Sequence, residues 1–257
     1  MEETNKEELL PLDAPERVAV IQSRGKIYRH IFRKITPQDW EGFFTRIVAE
    51  FQQEKSGYSH VIDTDIASLH LYAKTVRRVE GYATRDGRDP TQIPSWPECI
   101  PQDHRLRASA VLTDVKLDME AEESMLEVDT IPVAVSALWN EAEAGAMKQY
   151  RGLIHRFRIP SEEQRRRYLK AKSRAFVAGG SRRGVTVIPS SHPVLVRLYD
   201  ELIESAEGYG VRGAPLLSRE QIAQEMDAFH KVAAVGRLFP VNDRGASAVV
   251  DMEDQSA

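Results

Sequence analysis

Part of this chain is written twice, and no other feature constrains its fold as strongly. The first occurrence reads His30-Ile31-Phe32-Arg33, then Thr36 and Phe43, then Leu71-Tyr72 and Glu80-Gly81-Tyr82. The second reads His155-Arg156-Phe157-Arg158, then Ser161 and Tyr168, then Leu198-Tyr199 and Glu207-Gly208-Tyr209. The offset is 125 residues at the start and 127 at the end, which one two-residue insertion explains. A repeated spacing of this kind predicts two copies of one supersecondary unit. Each copy is then a control for the other. A side chain needed for shared packing recurs, and one present in a single copy needs its own account.

Local signals give the elements. Val18 to Ile21, a turn at Ser23-Arg24-Gly25-Lys26 and Ile27 to Ile35 predict a β-hairpin. Thr36 as N-cap and Pro37 behind it start a helix, with Asp39 near the free amides. Phe43, Phe44, Ile47, Val48 and Phe51 continue it at helical spacing to Ser56-Gly57. Val61-Ile62 is extended, and Asp65 to Tyr82 is a second helix, closed by Gly81. In the second copy the strand is Gln149 to Ile159, and Ser161 with Gln164 forms a capping box. Gly179 to Gly184 breaks the chain, and Val185 to Ile188 is extended. Pro193 opens a helix whose apolar face is Leu195, Leu198, Leu202 and Ala206. Between the copies, Pro90, Pro94, Pro97 and Pro101 mark a loop, followed by a helix over Asp103 to Asp118. Ile131 to Trp139 fits a strand or a buried helix. A capping box at Ser218 to Gln221 starts a last helix, lined by Ile222, Met226, Phe229 and Ala233.

These signals predict an α+β protein with two related units, each a β-hairpin followed by two helices, plus a helical connector and a C-terminal helix. The boundaries are a loose acidic tail over 1–16, unit one over 17–84, the connector over 85–145 and unit two over 146–211. The terminal helix spans 212–239 and a flexible tail 240–257. At 257 residues, with 42% hydrophobic and 29% charged residues, the chain has the composition of a globular protein. A net charge of −4 excludes a whole-surface nucleic-acid footprint. The one cysteine, Cys99, forms no internal disulfide and fits a reducing compartment. No apolar run is long enough to cross a bilayer, and the acidic start lacks a secretory leader's layout. Both fit a cytoplasmic protein.

The repeat filters the chemical motifs. Asp63-Thr64-Asp65 has the look of a paired-carboxylate site, yet the second copy carries Ser190, Ser191 and His192 there. Asp and Ser exchange as helix caps and not as metal ligands, so capping is the preferred reading. Gly179-Gly180-Ser181-Arg182-Arg183-Gly184 lacks the Gly-Lys-Ser/Thr of a phosphate loop and sits where the copies differ in length. Arg165, Arg166, Arg167, Lys170, Lys172, Arg174, Arg182 and Arg183 form a basic stretch opposed locally by Glu162 and Glu163. The matching helix of copy one is acidic, with Asp39, Glu41, Glu50 and Glu54. A basic helix of this kind pairs with an acidic protein surface or tracks phosphates. Without interleaved aromatics, a solvated or protein-facing helix is preferred to a nucleic-acid surface. Arg165, Arg166, Arg167, Lys170, Arg174, Arg182 and Arg183 are therefore the partner-binding residues to examine. The seven histidines form no metal pattern, and His30 and His155 hold matching strand positions. Ser190-Ser191-His192 is contiguous and lacks a triad's acid, and nothing beside Cys99 activates it. Trp40 and Trp139 read as core anchors. No catalytic, cofactor or metal residue is assigned, and the chain reads as a non-enzyme.

At Arg33-Lys34-Ile35-Thr36-Pro37-Gln38-Asp39-Trp40 and Arg156-Phe157-Arg158-Ile159-Pro160-Ser161-Glu162-Glu163 the chain resembles tailed-bacteriophage tail-assembly chaperones. In that family a short hairpin leads through a basic residue and Pro or Thr into an acidic residue and a helix. The resemblance covers roughly ten residues at each copy's start. It implies a structural or assembly protein of a phage tail or virion, with tape-measure or tail-tube proteins as partners. It implies location in the host cytoplasm or the virion, and carries over no catalytic residue. The chain departs from the family by its duplication and length. The alternative is a nucleic-acid-binding accessory protein that uses the basic helix.

Overall fold

A computed structural model describes residues 8–54, 57–123, 129–141, 145–177 and 192–239. After a short β1 (Leu10–Pro11), two eight-residue strands form the first hairpin. They are β2 (Glu16–Ser23) and β3 (Lys26–Arg33), paired from Glu16↔Arg33 to Ser23↔Lys26. Arg24 and Gly25 both take positive φ, 50° and 73°, which matches the twist of a two-residue hairpin turn. The helix α1 (Pro37–Phe44) opens on a full capping box between Thr36 and Asp39. It ends after two turns. Residues predicted to continue it instead form β4 (Val48–Glu54), paired antiparallel with β5 (Gly57–Asp63). Beyond Thr45 the chain meets Ile47 and Val48, whose branched side chains favour extended backbone.

The second predicted helix is also shorter than expected. The helix α2 (Asp65–Thr75) gives way directly to β6 (Val76–Glu80), which pairs with β3 through Arg29↔Glu80, His30↔Val79 and Ile31↔Arg78. The far edge of β3 needs hydrogen-bond partners, and β6 supplies them. Gly81 therefore ends a strand and not a helix. Its φ is +88°, and a Cβ there would lie 2.6 Å from the Ile27 carbonyl oxygen.

Next come α3 (Trp96–Cys99), α4 (Gln102–Leu112), β7 (Val115–Leu117) and α5 (Met119–Glu123). The predicted helix to Asp118 thus stops at Leu112, where the Val115/Leu117 alternation takes over as a strand. Ile131 to Trp139 is strand, within β8 (Ile131–Glu141), and it forms a hairpin with β9 (Met147–Phe157). The second hairpin therefore begins inside the stretch assigned to the connector. The helix α6 (Glu162–Val177) and α7 (His192–Leu202) follow, and β10 (Ile203–Glu207) pairs with β9. Ala206, expected on a helix face, is in this strand. The loop Gly179 to Gly184 and the extended piece Val185 to Ile188 lie outside the described residues. Last are β11 (Tyr209–Val211), β12 (Ala214–Pro215), α8 (Arg219–Glu225) and α9 (Ala228–Leu238). The terminal helix is thus two helices. Met226 is extended, and the Asp227 carboxylate accepts the Phe229 amide to start the second.

The strand orders β2-β3-β6 and β8-β9-β10 run alike, with β7 added outside β8. One apolar core centres on Phe32, Trp40, Phe43, Phe44, Leu71 and Tyr72, the other on Phe157, Leu198, Tyr199, Ile203 and Val235. Phe229 and Val232 of α9 pack against the first core as well. The expected loose tail needs correction at its end. Leu10 and Leu12 are buried in the second core, and β1 pairs parallel with β11. Residues 1–7 and the 240–257 tail lie outside the described residues.

Candidate functional site

The repeated histidines and tyrosines are hydrogen-bonded to one another, twice. On β3, His30 Nδ1 is 2.8 Å from the Tyr72 hydroxyl of α2, and Nε2 is 3.0 Å from Tyr82 just past β6. The Tyr82 hydroxyl also lies 2.6 Å from His104 Nδ1 on α4. On β9, His155 Nδ1 is 2.8 Å from Tyr199 of α7, and Nε2 is 2.7 Å from Tyr209. The Tyr209 hydroxyl is 2.8 Å from His230 Nδ1 on α9. Each chain thus runs Tyr-His-Tyr-His across two helices and the sheet. A neutral imidazole donates at one nitrogen and accepts at the other, so each chain carries one polarity from end to end.

Burial holds His30, His155 and His230 neutral. It pushes His30 down to about 3, with His104 adding to the effect, and His155 down to about 3 by burial alone. His230 is driven well below its ordinary value for the same reason, with His155 and Arg17 adding to it. Burial pushes Tyr72, Tyr82, Tyr199 and Tyr209 upward. His30, His155, His230 and the four tyrosines exchange no proton near neutral pH. The sequence singled out six of the eight members. It missed His104 and His230, which stand 126 residues apart and are each followed by a basic residue, Arg105 and Lys231. Extending the repeat by one helix finds them.

Between the two cores lies a cleft of about 810 Å³, bounded by Trp40 and Phe44 of α1, Trp139 of β8, Val196 of α7, and α8. Its charged wall is unusual. Arg17 is only 5% exposed, with its guanidinium carbon 3.7 Å from the centre of the Trp139 ring. Its polar contacts are long: 3.4 Å to the Leu112 carbonyl and 3.8 Å to Asp227. Asp227 accepts from the Trp40 indole N–H at 3.1 Å and from the Phe229 amide at 2.9 Å. Burial pushes the Asp227 carboxyl up, against the pull of Arg17. Lys231 donates to Asp200 at 2.6 Å and to the Ala223 carbonyl at 2.5 Å. Trp40 and Trp139 are buried, as core anchors should be, and they also line this cleft.

The basic helix α6 divides its residues. Arg167 is bidentate on Glu201, at 2.8 and 2.5 Å, and the buried Gln164 supports that carboxylate. Arg165, Arg166 and Lys170 are exposed. Nothing is described of the Arg174 side chain, and Arg182 and Arg183 lie outside the described residues. One turn from Arg165 and Arg166, Leu169 is 60% exposed. Asp63 stands one position before the Thr64 N-cap of α2 and accepts the Asp65 amide at 2.8 Å, while Thr64 itself makes no side-chain capping bond. Its aligned partners Ser190 and Ser191 are outside the described residues, and the His192 ring stacks on Phe44. Cys99 is an exposed free thiol. Among the described residues, no group of three His, Cys, Asp or Glu could hold a metal ion, and no helix is long and apolar enough to cross a membrane.

Set against known proteins, the chain matches no protein-family model, no curated protein and no solved structure.

Proposed function

We propose that this chain is a non-enzymatic assembly or structural protein that works through protein–protein contacts, of the phage-tail kind its hairpin-to-helix junctions resemble. One observation carries the reading. The chemistry-bearing side chains common to both halves are spent on each other in buried Tyr-His-Tyr-His chains, as expected of scaffold. The face offered to a partner is the outer side of α6. There Arg165 and Arg166 flank an exposed leucine, and charged groups around an apolar anchor suit a protein surface. The nucleic-acid reading is weaker on the same helix, because Arg167 is already neutralised by Glu201.

The test is co-purification with phage tape-measure and tail-tube proteins, for the wild type and for the triple variant Arg165→Glu, Arg166→Glu, Leu169→Asp. A complex formed by the wild type and lost in the variant supports the proposal. Salt-sensitive binding to a random DNA or RNA duplex, lost in the same variant with no protein complex formed, would replace it with the nucleic-acid reading.

A further inference from the structure

The cleft between the two cores holds a cation that the protein does not fully pair. A guanidinium carries five N–H donors in a planar fork suited to a carboxylate. In Arg17 the Nε is buried with no hydrogen-bond partner among the described residues. The nearest carboxylate, Asp227, stays 3.8 Å away and is committed to the Trp40 indole and the Phe229 amide. Leaving a buried charge so poorly paired is costly, and burial lowers Arg17 to about 10, still charged at neutral pH. The other cation deep in the cleft, Lys231, shows the contrast: it has two short contacts. The volume is that of a pocket for a small organic molecule, and Trp40, Phe44, Trp139, Val196 and Met226 give it apolar walls.

We infer that the cleft is a binding site for a small monocarboxylate with an apolar body, its carboxylate paired with Arg17 and its body lying against Trp40 and Phe44. The site is separate from the α6 face, so it stands or falls independently of the assembly role. Asp200 and Lys231 close one wall as a pair, Lys34 and Glu225 pair at 3.2 Å on another, and Arg197 is exposed at the rim, so Arg17 is the buried cation left for the ligand.

The test is calorimetric titration of the full chain with phenylacetate, 4-phenylbutyrate and decanoate, each beside its neutral amide. At least one acid should bind saturably, and its amide at least ~10-fold more weakly, the usual worth of a charge-assisted pair. Arg17→Met should weaken the acid by a similar factor. Ala223→Trp, on a half-buried residue of the cleft wall, should abolish binding without touching Arg17 and serves if Arg17→Met does not fold. Equal binding of acid and amide, undiminished binding to Ala223→Trp, or no binding by any acid overturns the proposal. Binding only of a peptide ending in a free Phe carboxylate would overturn the small-molecule assignment in favour of a protein terminus.

Discussion

Tyr209 and Tyr199 touch the same histidine but carry unequal loads. The Tyr209 hydroxyl bridges His155 and His230, whereas among the described residues the Tyr199 hydroxyl is bonded to His155 alone. Tyr209→Phe strands two buried ring nitrogens and should cost ~2–3 kcal/mol, against ~1 kcal/mol for Tyr199→Phe. Urea midpoints of the two variants measure the difference. Equal losses would mean that the His230 link contributes nothing. At this scale much was legible in the sequence. His30, Tyr72 and Tyr82 recur as His155, Tyr199 and Tyr209, and recurrence exposed them as shared structure. Arg17 was not legible. It looks like any strand arginine until α9 brings Asp227, and β8 brings Trp139, against it. Such meetings across more than a hundred residues leave no local spacing to find.

Among the elements, the strands that follow α2 and α7 were the main surprise. Val76 to Glu80 and Ile203 to Glu207 continue their helices without a break in composition, so helical periodicity ran on through them. What makes them strands is the open edge of β3 and of β9, which only the folded sheet reveals. The glycines that end these strands sit at φ +88° and +83°, a region costly for any side chain. Their surroundings differ. A Cβ on Gly81 meets backbone, the Ile27 carbonyl oxygen, at 2.6 Å, and one on Gly208 meets the tip of Leu153 at 2.8 Å. Leu153 can turn away and a backbone carbonyl cannot. Gly81→Ala should therefore lose ~2–4 kcal/mol and Gly208→Ala ~1–2 kcal/mol, as read by thermal or chemical unfolding. The reverse order would show that the strand end at Gly81 yields more easily than its contacts imply. The caps at Thr36, Ser161 and Ser218 were all readable, because a cap and its amide lie within four residues.

For the whole molecule, the neutral histidines set an acid limit. His30 and His155 titrate at about 3 in the folded chain, His192 at about 4 and His230 well below its ordinary value, with burial the leading cause in each. Unfolded, each takes up its proton near pH 6.5. Below that pH the unfolded chain binds more protons, so stability is full above about pH 6.5 and falls as the pH drops toward 3. Each histidine contributes a slope of up to ~1.4 kcal/mol per pH unit in that window. Carboxylates act lower: Asp39, held to about 2 chiefly by its hydrogen bonds from Arg33, adds its loss only below about pH 4. Thermal unfolding between pH 7 and 4.5 should show a steep fall in Tm, reduced in a His192→Phe variant. A flat profile would contradict buried neutral rings.

The pairing of β1 with β11 also bears on how the chain is made. Leu10 leaves the ribosome some two hundred residues ahead of the strand that hydrogen-bonds it, which includes Tyr209 and Gly210. At a typical elongation rate of roughly 5–20 residues per second, that segment waits on the order of ten seconds or more for its partner. Residues 19 to 112 can gather the first core in that interval, while the Leu10 segment stays unpaired. Its docking then waits for Tyr209, which ties the Leu10 segment to the completion of the second core.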